Sequence, residues 1–540
     1  MVWKFLYFWE NQKITFTHLF MKKLFSVLVA TALIAACGTT NTTTKSAETK
    51  KVTNDPVTYA NTITSEDLKT ALYTYASDEF QGRETGKPGQ KLAINFLKEH
   101  YMKYGVPAAK SDGDYFQEVP LDILGTPDVK LGVNDKLFTY KEDFISLSSG
   151  KTDNFSLDEI VYAGFGIDDE KFSSYGDVNV KDKVVLIKSG EPKNADGIYT
   201  ITGTSEGSKW SNMRQQFAAK RIAAKEKGAK AILFYFPEVY QMVVAQFGNA
   251  SGRMTLSDNS EEAYFFLINT SLAKALLSDI ETNDISNTIK TKMTLDYKNI
   301  SEKVTSENVA AFIKGSEKPD EIIVISAHLD HEGVKDGKVY NGADDDGSGT
   351  VAVVEIAEAF AKAVKDGNGP KRSILFLNVT GEEKGLLGSR YYTDIDPIFP
   401  LENTVADLNI DMIGRIDPKR KSENRNYVYL IGSDKLSTEL HNISEEVNTK
   451  YANVELDYTY NDENDPNRFY YRSDHYNFAK NNIPVIFYFN GTHDDYHQPS
   501  DTPDKIEYDL LENRTRLVFY TAWELANREN RIVADKAEKK

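Results

Sequence analysis

The chain is predicted to be an α/β protein: a mostly parallel central sheet covered by helices on both faces, with a β-rich domain inserted in it. Three observations lead there. Near-continuous apolar runs at 321–327 (EIIVISA), 373–379 (SILFLNV), 404–410 (TVADLNI) and 484–489 (PVIFYF) alternate with segments of helical period, as the buried strands of a parallel sheet do. Between about 116 and 305 the pattern changes to short β-type runs around one clear helix, which marks a separate small domain. The chain has 540 residues, 40% hydrophobic and 27% charged, ordinary globular composition in enough length for about two to four domains.

From the N-terminus, residues 1–20 precede a better start at Met21 and read as an over-extended frame. Met21-Lys22-Lys23 is followed by a small apolar run, 24–36, that ends Ile34-Ala35-Ala36-Cys37-Gly38, the layout of a secretory signal. Its end resembles a bacterial lipobox, which implies that Cys37 is acylated and begins the mature chain. The expected product is exported and lipid-anchored to a bacterial membrane, the outer one, facing periplasm or exterior. Cys37 is the only cysteine, so a disulfide within the chain is impossible. Residues 38–60 read as a flexible Thr-rich tether.

Residues 61–115 open the α/β domain. Leu68, Leu72, Tyr75 and Phe80 keep helical spacing. A breaker-rich loop, 82–89 (GRETGKPG), precedes a helix through Leu92, Phe96, Leu97 and Tyr101 that should stop at Gly105. Residues 116–305 form the insert, with strands at 160–163, 183–187 and 231–235 around a helix at 213–227. Residues 306–530 hold the rest of the α/β domain, with helices at 348–364, 435–449, 474–481 and 507–528, and 531–540 form a charged tail. The net charge, 64 − 81 = −17, argues against a nucleic-acid partner, which needs a basic footprint, and suits the solubility of an exported protein.

The chemistry lies after the strands. EIIVISA leads into His328-Leu329-Asp330-His331, and a loop then gives 342–349, GADDDGSG. SILFLNV leads into Thr380-Gly381-Glu382-Glu383, TVADLNI into Asp411, and PVIFYF towards His493-Asp494-Asp495-Tyr496-His497. Taken singly, each acidic pair reads equally as a solvated loop, and the Asp triplet as a turn or calcium site. Parallel strands end on one edge, however, so the clusters should share one crevice. Carboxylates packed together repel unless a cation sits among them, and a mixed His and carboxylate set suits zinc. A bridging carboxylate would admit two metals, and adjacent acids let one hold metal while the other handles a proton.

The run H-L-D, G-A-D-D-D-G-S-G, G-E-E-K-G-L-L-G-S, N-I-D-M and D-Y-H-Q-P-S-D-T resembles the family-28 zinc metallopeptidases, which include bacterial leucyl-type aminopeptidases, over residues 306–530. The 82–89 loop resembles that family's opening segment, and the insert resembles a protease-associated domain. The resemblance implies a zinc exopeptidase with two zinc ions per chain and peptide substrates. His328 and His497 would each bind one zinc, Asp345 would bridge both, and Glu383 and Asp411 would complete the spheres. Glu382 would be the general base, and Asp330 would orient His328. The Asp345–Asp346 peptide is cis in relatives. Tyr496 would stabilise the oxyanion and Arg472 would contact substrate. His331, His475 and His493 fall outside the motif register. Aminopeptidase action is the first expectation. A carboxypeptidase, a glutaminyl cyclase or a non-catalytic surface peptide binder are the alternatives.

Overall fold

The structure, a computed structural model, describes residues 55–147, 151–249, 252–257 and 263–537. The signal-like segment with Cys37, most of the tether, and the last three residues lie outside the described residues. No helix among the described residues is long and apolar enough to cross a membrane.

The tether ends earlier than expected. Asp55 caps a short helix, Pro56–Ala60, by accepting from the Val57 amide. Tyr59 of that helix stacks on Trp523 at 5.4 Å, so residues from 56 onward are anchored by aromatic burial. The tail also packs: Ile532 is buried and Arg531 donates to the Thr404 carbonyl at 2.7 Å.

The main sheet has nine strands. In spatial order they are Arg253–Leu256, Phe116–Leu124, Glu302–Ile313, Arg372–Val379, Lys318–His328, Thr404–Ile410, Val485–Phe489, Tyr427–Ile431 and Glu455–Asp457. The central four, Arg372–Val379 through Val485–Phe489, are mutually parallel. On one side the strands join antiparallel, and on the other Tyr427–Ile431 pairs antiparallel with Val485–Phe489. The sheet is therefore mixed, with its parallel part at the centre. Alternation along the strands divides its two faces. Ile323, Ile325 and Ala327 pack with helices Ser65–Tyr75, Pro88–Tyr104, Gly349–Lys365 and Tyr508–Asn527. Ile322, Val324, Leu375 and Leu377 face Tyr392 and Phe478 of the short helices Leu387–Asp394 and His475–Ala479. Pro88–Tyr104 starts on its proline and stops at Gly105, whose φ of 79° is the left-handed cap that glycine adopts without strain.

A second sheet of eight strands draws on residues 128–298. Asp153–Tyr162, Val184–Lys188, Ala231–Tyr235 and Tyr264–Ile268 are parallel at its centre, and each face carries its own apolar cluster. Two strands inside the 116–305 stretch, Phe116–Leu124 and Arg253–Leu256, run in the main sheet instead. A strand's residue pattern records that one face is buried, not which sheet buries it.

Candidate functional site

The parallel register places His328 opposite Val379, and Ile410 opposite Tyr488, so the segments carrying Glu382, Asp411 and His497 leave the same sheet edge. The five expected ligands meet there. His328 Nε2 lies 3.1 Å from Asp345 Oδ1 and 3.6 Å from Asp411 Oδ1. His497 Nε2 lies 3.0 Å from Asp345 Oδ2 and 3.1 Å from Glu383 Oε2. Asp345 thus turns one oxygen to each half of the cluster. The Asp345–Asp346 peptide is cis.

The hydrogen bonds decide what can sit between these atoms. His328 Nδ1 is 3.0 Å from the Asp330 carbonyl, which can only accept, so Nδ1 carries a proton and the neutral ring, the form that binds a cation, has its lone pair on Nε2. That lone pair faces two carboxylate oxygens. His328 Nε2, Asp345 Oδ2 and Glu383 Oε1 are buried without any hydrogen-bond partner. Buried orphans of this kind are costly, and a cation among them removes the cost. Two imidazoles and three carboxylates fit zinc well. The electrostatics agree. Burial opposes protonation of His497, yet Asp345 and Glu383 outweigh it and raise its pKa to about 10. Burial, then the charges of Glu383, Asp411 and Asp474, holds the Glu382 carboxyl well above its usual range against the pull of His328.

The flanking members of the Asp triplet build the loop. Asp344 Oδ1 accepts from the Gly414 amide at 2.7 Å, and its other oxygen faces His493 at 3.1 Å. Asp346 accepts from the His328, Gly349 and Met412 amides. The Asp330 carboxylate does not hold the His328 ring as expected. Its backbone carbonyl does so, while the carboxylate accepts from the Glu382 amide at 3.1 Å and Thr85 Oγ1 at 2.6 Å.

His475 and His493 stay outside the cluster. His475 stacks on Phe487 at 4.8 Å, and burial lowers its pKa to about 3. His331, set aside on register, is inside it: Nδ1 stands 2.8 Å from Glu383 Oε1 and 3.8 Å from Asp345 Oδ2. Sequence reading also missed Arg83, which is fully buried. It donates to the carbonyls of Leu329, Tyr75, Asn341 and Gly342, pinning both ligand-bearing loops. Asp501, likewise missed, accepts from the Asp344 and Asp345 amides. The GRETGKPG loop hinted at Arg83 only through its resemblance, because its partners lie up to 259 residues away.

Beside the cluster is a pocket lined by Glu382, Met412, Phe469, Arg472, Phe487, Phe489 and Tyr496. Tyr496 stacks on His497 at 4.0 Å, and burial followed by the nearby carboxylates raises its pKa, so its hydroxyl keeps its proton. The Arg472 guanidinium lies 4.9 Å over Phe469, on the exposed rim.

Residues 308–522 match the model described as Peptidase family M28. The chain is 25% identical over 351 residues to a probable leucine aminopeptidase 2 of Aspergillus oryzae, covering 65% of this chain and 58% of that relative. It is 38% identical over 119 residues to a probable zinc metalloprotease of Pyrenophora tritici-repentis, covering 21% of this chain and 22% of the relative. The chain thus spans less than two thirds of the length of these curated relatives. Among solved structures, an aminopeptidase from Aneurinibacillus sp. strain AM-1 aligns with 90% of this chain and 99% of its own, at 19% identity and a TM-score of 0.44. Residues 308–522, which match the Peptidase family M28 model, contribute all five ligand candidates and Glu382.

Proposed function

We propose that this protein is an exopeptidase holding two zinc ions, acting first as an aminopeptidase. One observation carries the reading: Asp345 presents an oxygen to each of two ligand sets, in which His328 Nε2, Asp345 Oδ2 and Glu383 Oε1 are buried without a hydrogen bond. His328, Asp345 and Asp411 would hold one ion, and His497, Asp345 and Glu383 the other. Bound zinc supplies an acidified water and polarises the scissile carbonyl.

The chain's own groups supply the remaining steps. Glu382 lines the pocket beside both sets, where its carboxylate accepts the water's proton and returns it to the leaving amine. The protonated Tyr496 hydroxyl donates to the oxyanion as charge develops there. Met412, Phe469, Phe487 and Phe489 line the pocket with apolar surface, which favours a substrate residue with an apolar side chain. Arg472 at the rim supports a second reading, a carboxypeptidase whose substrate carboxylate meets that guanidinium. The name of one relative, a probable glutamate carboxypeptidase of Arabidopsis thaliana, is in keeping with it.

Aminoacyl anilides and N-blocked peptides with free C-termini, each assayed with chelator and after zinc is restored, separate these readings. Zinc-restored release from anilides is expected. Hydrolysis of the blocked peptides alone would overturn the aminopeptidase reading, and chelator-insensitive hydrolysis would overturn the metal reading. We further propose export as a lipoprotein acylated at Cys37, facing periplasm or exterior. Its support is the lipobox-like end of the signal segment. Palmitate labelling that is lost in Cys37→Ser tests it.

A further inference from the structure

The face of the Thr404–Ile410 strand that turns towards Ser326 carries polar residues at two-residue spacing, Asp407 and Asn409, and continues to Asp411. In a parallel sheet such residues form a row. The neighbouring strand Lys318–His328 adds Ser326, which is in register with Asn409. Asp407, Asn409 and Ser326 are fully buried, and Ser473 almost so. The contacts are continuous. Ser473 Oγ is 2.6 Å from Asp411 Oδ2, and Asn409 Nδ2 is 2.9 Å from Ser473 Oγ. Ser326 Oγ is 2.9 Å from Asn409 Oδ1 and 2.7 Å from Asp407 Oδ1.

The direction of this row follows from counting protons. A hydroxyl has one to give. On the proposed metal reading, on which this inference rests, Asp411 is an anion and only accepts. Ser473 must therefore give its proton to Asp411, so it receives one from the Asn409 amide nitrogen. That fixes Asn409 Oδ1 towards Ser326, and Ser326 must give its only proton there. Asp407 Oδ1 then faces a hydroxyl oxygen with no proton left for it. We infer that Asp407 is held as a neutral carboxylic acid that donates to Ser326, the base of a one-way hydrogen-bond row ending on Asp411.

Ionised, Asp407 would pull the Ser326 proton back and leave Asn409 Oδ1 without a donor, in addition to placing a bare charge in the core. Asp407 Oδ2 has no partner, as a neutral carbonyl oxygen tolerates more readily than a carboxylate. Burial, reinforced by the charge of Asp474, raises the Asp407 pKa well above its usual range, with Ser326 opposing. The buried Tyr392 hydroxyl also lies near Asp407. Asp407 is a positioning residue. Each donor in such a row strengthens the next, so the row holds Asp411 with its other oxygen turned to His328.

The test is infrared difference spectroscopy of the zinc-loaded protein, with zinc content measured on the same sample. In difference spectra against the wild type at neutral pH, Asp407→Asn should remove one protonated carboxylic C=O stretch, and Ser326→Ala should move it. Asp407→Asn keeps a donor and should retain zinc, whereas Ser326→Ala should weaken zinc binding by about tenfold. No such band, or one unchanged in Asp407→Asn, overturns the inference. Should Asp407→Asn not fold, an unmoved band in Ser326→Ala does the same. Failure to bind zinc at all overturns the metal reading instead, and the zinc analysis reports that separately.

Discussion

The two sheets of this molecule treat buried charge in opposite ways. Both have four parallel strands at the centre, and both place charged side chains near strand ends. In the 128–298 sheet those charges are used up locally. Lys188 donates to the Ile280 and Asn283 carbonyls and pairs with Asp284 at 2.6 Å. Lys220 donates to the Gly190 carbonyl at 2.7 Å and to that of Phe165. Glu191 accepts from the Ser208 amide and the Ser211 hydroxyl. In the main sheet, nitrogens and oxygens of the same kind converge and stay unsatisfied. The lesson is that a functional site is marked less by charged residues at strand ends than by charged atoms aimed at one another without partners.

Four substitutions break or sharpen that contrast. Glu382→Gln should lower turnover by about 10²–10⁴-fold while zinc content, read by elemental analysis, stays unchanged. Equal loss of zinc would mean that Glu382 is a ligand. Asp345→Asn should leave both ligand sets incomplete, so the purified protein should carry less than half the wild-type zinc. Full loading would dissolve the contrast. Arg83→Met removes a charged donor from four carbonyls and should cost about 3 kcal/mol or more in urea unfolding, with weaker zinc binding following from looser loops.

The last test belongs to the satisfied sheet and reads stability alone. Burial lowers the Lys220 pKa to about 7 from its usual 10.5, with Glu191 opposing. Between these values the unfolded chain binds the proton that the folded chain has lost, so stability should rise with pH from about 7 to 10.5. Lys220→Met should flatten that rise in urea titrations at several pH values and leave zinc content and hydrolysis unchanged. Loss of hydrolysis at constant stability would show that the second sheet takes part in the chemistry after all.

Much of this was legible in the chain order. Strand 404–410 and the stop at Gly105 appear where the pattern puts them, because apolar periodicity and a left-handed cap are local properties. The clusters that carry His328, Glu383, Asp411 and His497 could be gathered because parallel strands must end together, and the family resemblance picked these residues and Asp345 out as ligands. The sequence alone determined the α/β class, the strand-end clusters and the cation-hungry chemistry, all consequences of neighbouring residues and period. Only the tertiary structure decided that Phe116–Leu124 joins the main sheet, that the Asp330 carbonyl rather than its carboxylate orients His328, that His331 enters the cluster, and that Arg83 and Asp501 lock its loops. All of these but the Asp330 carbonyl's contact with His328 join residues far apart in the chain, and side-chain direction across such distances is set by packing rather than by residue type.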